Sequence, residues 1–217
     1  DLDEYSQVFP ILKKSVVRDH PGQFLAEETL AGSWHRTGGS TGTPMRGLWE
    51  KEAHLMGLRA KYRMLDQRGV DVFDRSAFLW GHSGSIAPGF TGVKQRLRRP
   101  IEDAFRNRLR VSAYRLGPEE LDEHLTALRR FSPLSLYGYS SAVALLARRA
   151  KETGVMIPSL RLAIMTAEPA DDAMVRQVAS DLSCDAVVEY GSVECGLMAT
   201  TFPDRTLRIR EDIVYLE

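Results

Sequence analysis

Apolar positions along the chain follow two rhythms, one of about 3.6 residues and one of two, and glycines and prolines mark the changes between them. From about Glu50 to Arg68, Ala53, Met56, Gly57, Ala60 and Met64 recur at helical spacing among Glu52, Arg59, Lys61 and Arg63, and Gly69 is placed to end the helix. Val70 through Trp80 alternates in part and carries Val72, Phe73, Phe78, Leu79 and Trp80, which predicts a strand or strand pair. Before these elements, Phe9, Ile11, Leu12, Val16 and Val17 predict a short helix docked on a larger body. After them, residues 94–108 are charged and helical in pattern, although Pro100 argues against one uninterrupted helix.

The second half of the chain is more regular. Val111 to Leu116 reads as a short strand. Gly117-Pro118-Glu119-Glu120 then starts a helix, with proline in the first turn, acids near the positive dipole end, and Leu121, Leu125 and Leu128 as its apolar stripe. Leu134 to Tyr137 predicts a buried strand ending in Gly138-Tyr139-Ser140-Ser141, where either serine can cap the next helix. Val143, Leu146, Ala147 and Ala150 form one face of that helix, and Gly154 ends it. Leu160 to Thr166 is the clearest strand. A helix follows Ala167-Glu168-Pro169, with Asp171 and Asp172 in its first turn and Met174, Val175, Val178 and Leu182 inward, and Ala186 to Tyr190 is the next strand. Short strands are expected near Leu197–Thr201, Leu207–Ile209 and Ile213–Leu216.

Strand–helix–strand alternation from Leu134 to Tyr190 predicts parallel βαβ units with right-handed crossovers, hence an α/β fold whose mostly parallel sheet is flanked by helices. Ligands in such sheets collect beyond the carboxyl ends of the strands. Three loops belong there: Gly138–Ser141, Ala167–Pro169 and Gly191–Gly196.

Composition narrows the function classes. The 29 basic and 29 acidic residues cancel, so no overall field draws the chain to nucleic acid or to an anionic membrane. Arg96, Arg98, Arg99, Arg106, Arg108 and Arg110 cluster locally, but Glu102 and Asp103 interrupt them as on a solvated helix face. Two cysteines, Cys184 and Cys195, are too few for a disulfide framework and lack metal-ligand spacing, so a reducing, cytoplasmic setting is expected. No apolar run reaches membrane-spanning length.

Two stretches carry candidate chemistry. Thr37-Gly38-Gly39-Ser40-Thr41-Gly42-Thr43-Pro44 places three glycines and four hydroxyls in eight positions. Glycine permits the backbone to turn successive N–H groups toward one point, and hydroxyls add donors, so such a loop can cradle phosphate; as a plain surface turn it needs no ligand at all. No Gly-Lys-Ser/Thr follows, so it is not a Walker A loop. Glu189-Tyr190-Gly191-Ser192-Val193-Glu194-Cys195-Gly196 directly follows a strand. Tyr190 can flank a flat heterocycle or be a half-buried ring, and Glu194 can hold a divalent cation or be a solvated acid. Nucleotide-bound magnesium takes only one or two protein carboxylates, so a single acid suffices.

Together these motifs resemble the adenylate-forming (acyl-CoA synthetase) superfamily. Thr37–Pro44 is similar to its phosphate loop, Ala167-Glu168-Pro169 to its adenine-side loop, and Tyr190-Gly191-Ser192-Val193-Glu194 to its Tyr-Gly-x-x-Glu motif, in the same order. Phe9–Lys14, Trp80-Gly81-His82, Leu136–Ser140 and Arg210–Glu217 resemble the phenylacetate–CoA ligase-like and capsule-biosynthesis-type branch. The resemblance implies that residues 1–217 are an incomplete N-terminal, ATP- and acyl-binding domain of such an enzyme. It implies ATP-dependent activation of a carboxylic acid, aryl or arylacetic by its branch, to an acyl-adenylate, followed by thioester formation with coenzyme A. ATP, Mg²⁺ and coenzyme A are the implied cofactors and co-substrates. By the same likeness Thr37, Gly38, Gly39, Ser40, Thr41, Gly42 and Thr43 handle the phosphates, with Thr41 and Glu194 catalytic and Glu194 the Mg²⁺ ligand. Ala167, Glu168, Pro169, Tyr190, Gly191 and Ser192 surround the nucleotide. Trp80, His82, Tyr137, Gly138 and Tyr139 are acyl-pocket candidates, Trp80 and Tyr137 equally readable as core aromatics and His82 as an exposed histidine.

The chain departs from the family pattern in three places. Met45 and then Arg46 follow the loop proline, displacing any cationic contact to pyrophosphate. Val193 stands where a hydroxyl residue is common. A ribose-binding aspartate and the lid domain with its lysine are not found before Glu217, so a fragment of a longer enzyme with little ATP–pyrophosphate exchange is the expectation. Two other readings stay open: a catalytically incomplete nucleotide- or acyl-adenylate-binding or interaction domain, and an unrelated phosphate-binding α/β domain of the sugar-nucleotide transferase kind.

Overall fold

The computed structural model describes residues 8, 11–25, 32–36, 45–81, 100–212 and 214. The chain divides into two compact units, Asp1–Arg59 with Val193–Gly196, and Ala60–Ser192 with Leu197–Glu217.

In the first unit, a short helix α1 (Lys14–Asp19) and a 3-10 turn (Pro21–Phe24) precede two antiparallel strands, β1 (Gly32–Arg36) and β2 (Arg46–Glu50). Their register pairs Gly32 with Glu50 and Arg36 with Arg46. A side chain at Gly32 would collide with the Trp49 carbonyl, so only glycine allows the strands to close there. This pair was not legible in the sequence, because Gly-Ser-Trp-His-Arg shows no alternation and its residues remain largely exposed. Helix α2 (Lys51–Asp66) begins in this unit and continues into the second.

The second unit is built on a seven-stranded sheet. Its strands are β3 (Ser76–Trp80), β4 (Arg108–Ser112), β5 (Ser135–Tyr139), β6 (Leu162–Thr166), β7 (Asp185–Ser192), β8 (Gly196–Thr201) and β9 (Leu207–Ile209), ordered β4-β3-β5-β6-β7-β8-β9. The β4–β3, β3–β5, β5–β6 and β6–β7 pairs are parallel, and β8–β9 is antiparallel. The expected α/β architecture is therefore present. Several boundaries move. The strand expected at Ala186–Tyr190 runs on through Gly191 and Ser192, which were expected in a loop. The Val70–Trp80 segment is strand only from Ser76, because Asp71 and Asp74 side chains accept from nearby backbone N–H groups and hold a turn. The strand expected at Val111–Leu116 starts earlier, at Arg108, where Arg108 and Arg110 hid it from an apolar-pattern reading. The strand expected at Ile213–Leu216 lies outside the described residues apart from Val214.

Helices cover both faces. On one, α3 (Pro118–Phe131), α4 (Ser140–Thr153) and α5 (Asp172–Leu182) bury Leu121, Leu125 and Leu128, then Val143 and Leu146, then Val178 and Leu182. On the other, Met64, Leu65 and Val70 pack on Leu162, Ile164 and Val187. Strand β6 is buried at every position, its side chains feeding the two cores alternately, which is why Leu-Ala-Ile-Met reads as a continuous apolar run. Each fully buried leucine here contributes about 1.5–3 kcal/mol through removal from water.

Candidate functional site

Strand register assembles the site. Tyr139 pairs with Thr166 and Thr166 with Glu189, so β5 and β6 end level with Glu189, from which β7 runs on through Ser192. The Ala167–Pro169 turn leaves this row, and Tyr190–Ser192 continue it as the end of strand β7; both were expected at the nucleotide.

Ala167 adopts φ +64°, a left-handed conformation that costs a residue with a Cβ about 1–2 kcal/mol. Strain of this kind is kept where the surroundings demand it, commonly at ligand sites. The turn it makes directs Glu168 back onto α4. Glu168 Oε2 accepts from the Ser141 N–H at 2.9 Å, and the Ser140 hydroxyl donates to the Glu168 carbonyl at 3.0 Å. The expected serine cap is thus reversed. The cap position is Tyr139, Ser140 and Ser141 lie inside the helix, and the orphan N–H is satisfied by a glutamate from the next loop. Tyr190 is half exposed and Gly191 exposed, leaving a ring face and bare backbone available, while Ser192 is partly buried.

The acyl-pocket candidates form one aromatic wall. Trp80 stacks on Tyr139 with centroids 4.2 Å apart and on Tyr137 at 5.6 Å, and Phe78 tilts against Tyr137 at 5.6 Å. Gly138 lies between the tyrosines because a Cβ there would sit 2.7 Å from the Leu79 carbonyl and 2.9 Å from Val143 Cγ2. Sequence reading missed the charged groups attached to the wall. Lys61 Nζ lies 3.7 Å from the Tyr137 ring centre, and the Arg108 guanidinium 5.2 Å from that of Phe78. Buried Glu189 lies near enough to the Tyr137 hydroxyl for its charge to act on it. Burial pulls the Lys61 ammonium below its ordinary range; Glu189 opposes the fall and Arg108 adds to it. Burial, then the Glu189 charge, pushes the Tyr137 hydroxyl far up, so near neutral pH it is a hydrogen-bonding group and not a base. Helical spacing gave Lys61 no distinction from its neighbours Arg59 and Arg63. Glu189 could have been flagged, since an acid one residue before a strand end within Ala-Val-Val-Glu-Tyr breaks an apolar run.

The first unit holds Glu194. Its carboxylate pairs with Lys14 Nζ at 2.9 Å. The neighbouring loop is anchored by Trp49, whose indole N–H donates to the Val193 carbonyl at 2.8 Å and whose ring would lie 3.0 Å from a Cβ on Gly196, a residue with φ +70°. Neither Lys14 nor Trp49 was singled out from sequence. Among the described residues no group of three or more His, Cys, Asp or Glu could hold a metal by itself. A nucleotide-bound Mg²⁺ needs only one carboxylate, which Glu194 can supply once Lys14 yields it. Thr37–Pro44 and His82 lie outside the described residues.

No protein-family model matches the chain, and no curated protein does. Solved structures do. A 2-hydroxyisobutyryl-CoA ligase in complex with 2-HIB-AMP and CoA in the thioesterification state matches at TM-score 0.64 and 14% identity, over 94% of this chain and 44% of that one. The anthranilate CoA ligase AuaEII in complex with anthranoyl-AMP matches at TM-score 0.53 and 14% identity, over 78% of this chain and 31% of that one. The luciferase-like enzyme from the nonluminescent Zophobas morio mealworm matches at TM-score 0.53 and 16% identity, over 83% and 39%. The chain spans less than half the length of each of these proteins. Over the matched part, its fold is the one these solved structures share.

Proposed function

We propose that the chain is the ATP- and acid-binding part of an adenylate-forming ligase, in which a carboxylate is joined to AMP and then to a thiol such as coenzyme A. The observation that carries this reading is the Tyr139–Thr166–Glu189 row, from which the Ala167–Pro169 turn and the Tyr190–Ser192 end of strand β7 lead on. In the first step a carboxylate oxygen attacks the α-phosphorus, a C–O–P linkage forms, the α–β phosphoanhydride breaks, and pyrophosphate leaves. The nucleophile is already ionised near neutral pH, so no general base is needed. Tyr190 is available to stack on adenine, the exposed backbone at Gly191 allows close approach, and Trp80, Tyr137 and Tyr139 wall the acyl group. Thr37–Thr43 would hold the leaving phosphates and Glu194 the Mg²⁺, which offsets their charge when bound. An aryl or arylacetic acid suits the aromatic wall. Thiolysis then forms a thioester and releases AMP.

A second reading, a nucleotide-binding domain without turnover, is favoured by the Lys14–Glu194 pair, which already engages the one metal-ligand candidate. Titration calorimetry with ATP, with and without Mg²⁺, tests the shared part: binding strengthened by Mg²⁺ is expected, with about a tenfold loss of that gain in Glu194→Ala. Absence of any ATP binding would end both readings. ATP–pyrophosphate exchange in the presence of an aryl acid separates them, since only the ligase returns label to ATP.

A further inference from the structure

A polar cavity of about 300 Å³ lies at the start of β7, lined by Arg68, Cys184, Asp185, Thr201, Phe202 and Arg205 among others. Along the strand, Asp185 is about 16 Å from Tyr190, at about 3.3 Å per residue, so the cavity is separate from the proposed nucleotide position. Beside it the Thr201 hydroxyl accepts from the Val188 N–H at 2.9 Å and donates to the Val188 carbonyl at 3.1 Å, a side chain standing where a neighbouring main chain would pair. The Arg68 side chain is 6% exposed. Its Nε donates to Asp185 Oδ2 at 3.3 Å, Nη1 to the Met64 carbonyl at 3.2 Å and Nη2 to the Thr201 carbonyl at 2.6 Å. A guanidinium has five N–H groups, so the second N–H on each terminal nitrogen of this buried cation has no acceptor among the described residues. Arg205, at φ +66° in the turn between β8 and β9, spends one N–H on Asp185 Oδ1 at 3.2 Å. That carboxylate is well supplied, since Oδ1 also accepts from the Ala186 N–H.

We propose that this cavity binds a small monocarboxylate, whose oxygens accept from the remaining N–H groups of Arg68 and Arg205. The charged residues that line it are Arg68, Arg205 and Asp185, a surplus of one positive charge. Asp204 and Arg208 of the same turn pair with each other, and Arg161, which does not line the cavity, is turned to the Gly69 carbonyl. One carboxylate therefore balances the site, whereas a dianion beside Asp185 leaves it net negative. The guanidinium fork suits a planar carboxylate, and charge-assisted bonds of this kind are the strong ones. The volume exceeds that of a bare anion, and Phe202 and Pro203 offer a short organic body an apolar border. The site does not depend on the ligase reading.

The test times alkylation of the 217-residue chain by iodoacetamide, each cysteine followed separately by mass spectrometry. The Cys184 thiol, pushed up to about 12 by burial and then by the Asp185 charge, reacts slowly and lines the cavity. Exposed Cys195, in the first unit, is the internal reference. The probes are propionate, its neutral isostere propionamide, and sulfate, at matched ionic strength in chloride. Propionate should slow Cys184 at least threefold and leave Cys195 unchanged, propionamide should do neither, and sulfate should protect less than propionate. Arg205→Gln, at a side chain 64% exposed and so compatible with the fold, should raise the propionate needed for half protection about tenfold. Asp185→Asn, which removes the competing negative charge, should lower it and bring sulfate level with propionate, a gain that a merely structural ion pair would not give. No protection of Cys184, equal protection by propionamide, or protection unaltered in Arg205→Gln would overturn the proposal. Protection of Cys195 in place of Cys184 would also overturn it, by putting the acid in the first unit, and would leave the ligase reading standing.

Discussion

Single residues hold the sharpest claims. Ala167 sits at φ +64°, so a β-branched side chain should be tolerated poorly there: Ala167→Val is expected to lower stability by about 1–2 kcal/mol in urea unfolding. Ala167→Gly should come out near neutral, because relief of strain is offset by added freedom of the unfolded chain. Lys61 makes a pH prediction. Its folded pKa is depressed below 10.5, so its contribution to stability is full above 10.5 and is lost as pH falls through the lowered value. Tyr137 acts in the opposite sense, its contribution being full below 10.0 and lost as pH rises toward its raised folded value. Lys61→Met should therefore flatten the rise of stability between neutral pH and 10.5, measured by urea midpoints, and leave the loss above that range in place. A slope unchanged by the substitution would show that Lys61 is not desolvated. At this scale the sequence was least legible. The wall residues Trp80, Tyr137 and Tyr139 could be named from their strand-end positions. Lys61 and Thr166 acquire meaning only through register and through which face of α2 turns to the sheet.

At the scale of elements, patterning and punctuation agree with each other. The parallel strands β5, β6 and β7 and helices α3, α4 and α5 were readable because their apolar stripes are complete and their ends are marked by Pro118, Gly154 and Asp171. Asp171 shows why such marks work: its carboxylate accepts from the Met174 N–H at 2.7 Å. Asp171→Ala should cost about 1 kcal/mol by the loss of that cap. Gly138 is a stricter case. Any side chain there meets the Leu79 carbonyl and Val143 at once, so Gly138→Ala must push β3 from β5 or displace α4. A loss of about 1–3 kcal/mol in unfolding stability is expected, and adenylate-analogue affinity should fall with it because Trp80 lies on the displaced strand. Elements that resisted sequence reading did so for identifiable reasons. Strand β4 carries arginines in place of apolar residues, and β1 and β2 show no apolar alternation, Trp34 being exposed and Gly47, Leu48 and Trp49 all partly buried.

For the whole molecule, the two compact units divide the proposed chemistry. The adenine-side loops and the aromatic wall belong to one, and Glu194 with its Lys14 and Trp49 contacts to the other. Occupation of the nucleotide site should stabilise the chain by mass action, by about 2.7 kcal/mol when ATP is present at a hundred times its dissociation constant. Urea unfolding with and without ATP and Mg²⁺ measures this, and an unmoved midpoint would mean that the native chain holds no nucleotide. The order of the three family-like motifs could be read directly because each is local in sequence. That Ala167–Pro169 and Tyr190–Ser192 follow neighbouring positions of paired strands could not, since it depends on pairing between residues more than twenty apart.

The stacking of Trp80 between two tyrosines has an optical consequence. Tyrosine fluorescence overlaps indole absorption, and at 4.2 and 5.6 Å between ring centres the excitation of Tyr139 and Tyr137 passes almost wholly to Trp80. The wall thus gathers light from three rings into one emitter that borders the proposed acyl position. An unlabelled chain should announce the arrival of an aromatic acid by a change in the colour and yield of Trp80 emission, with Trp34 and Trp49 removed by substitution to phenylalanine so that one indole speaks alone.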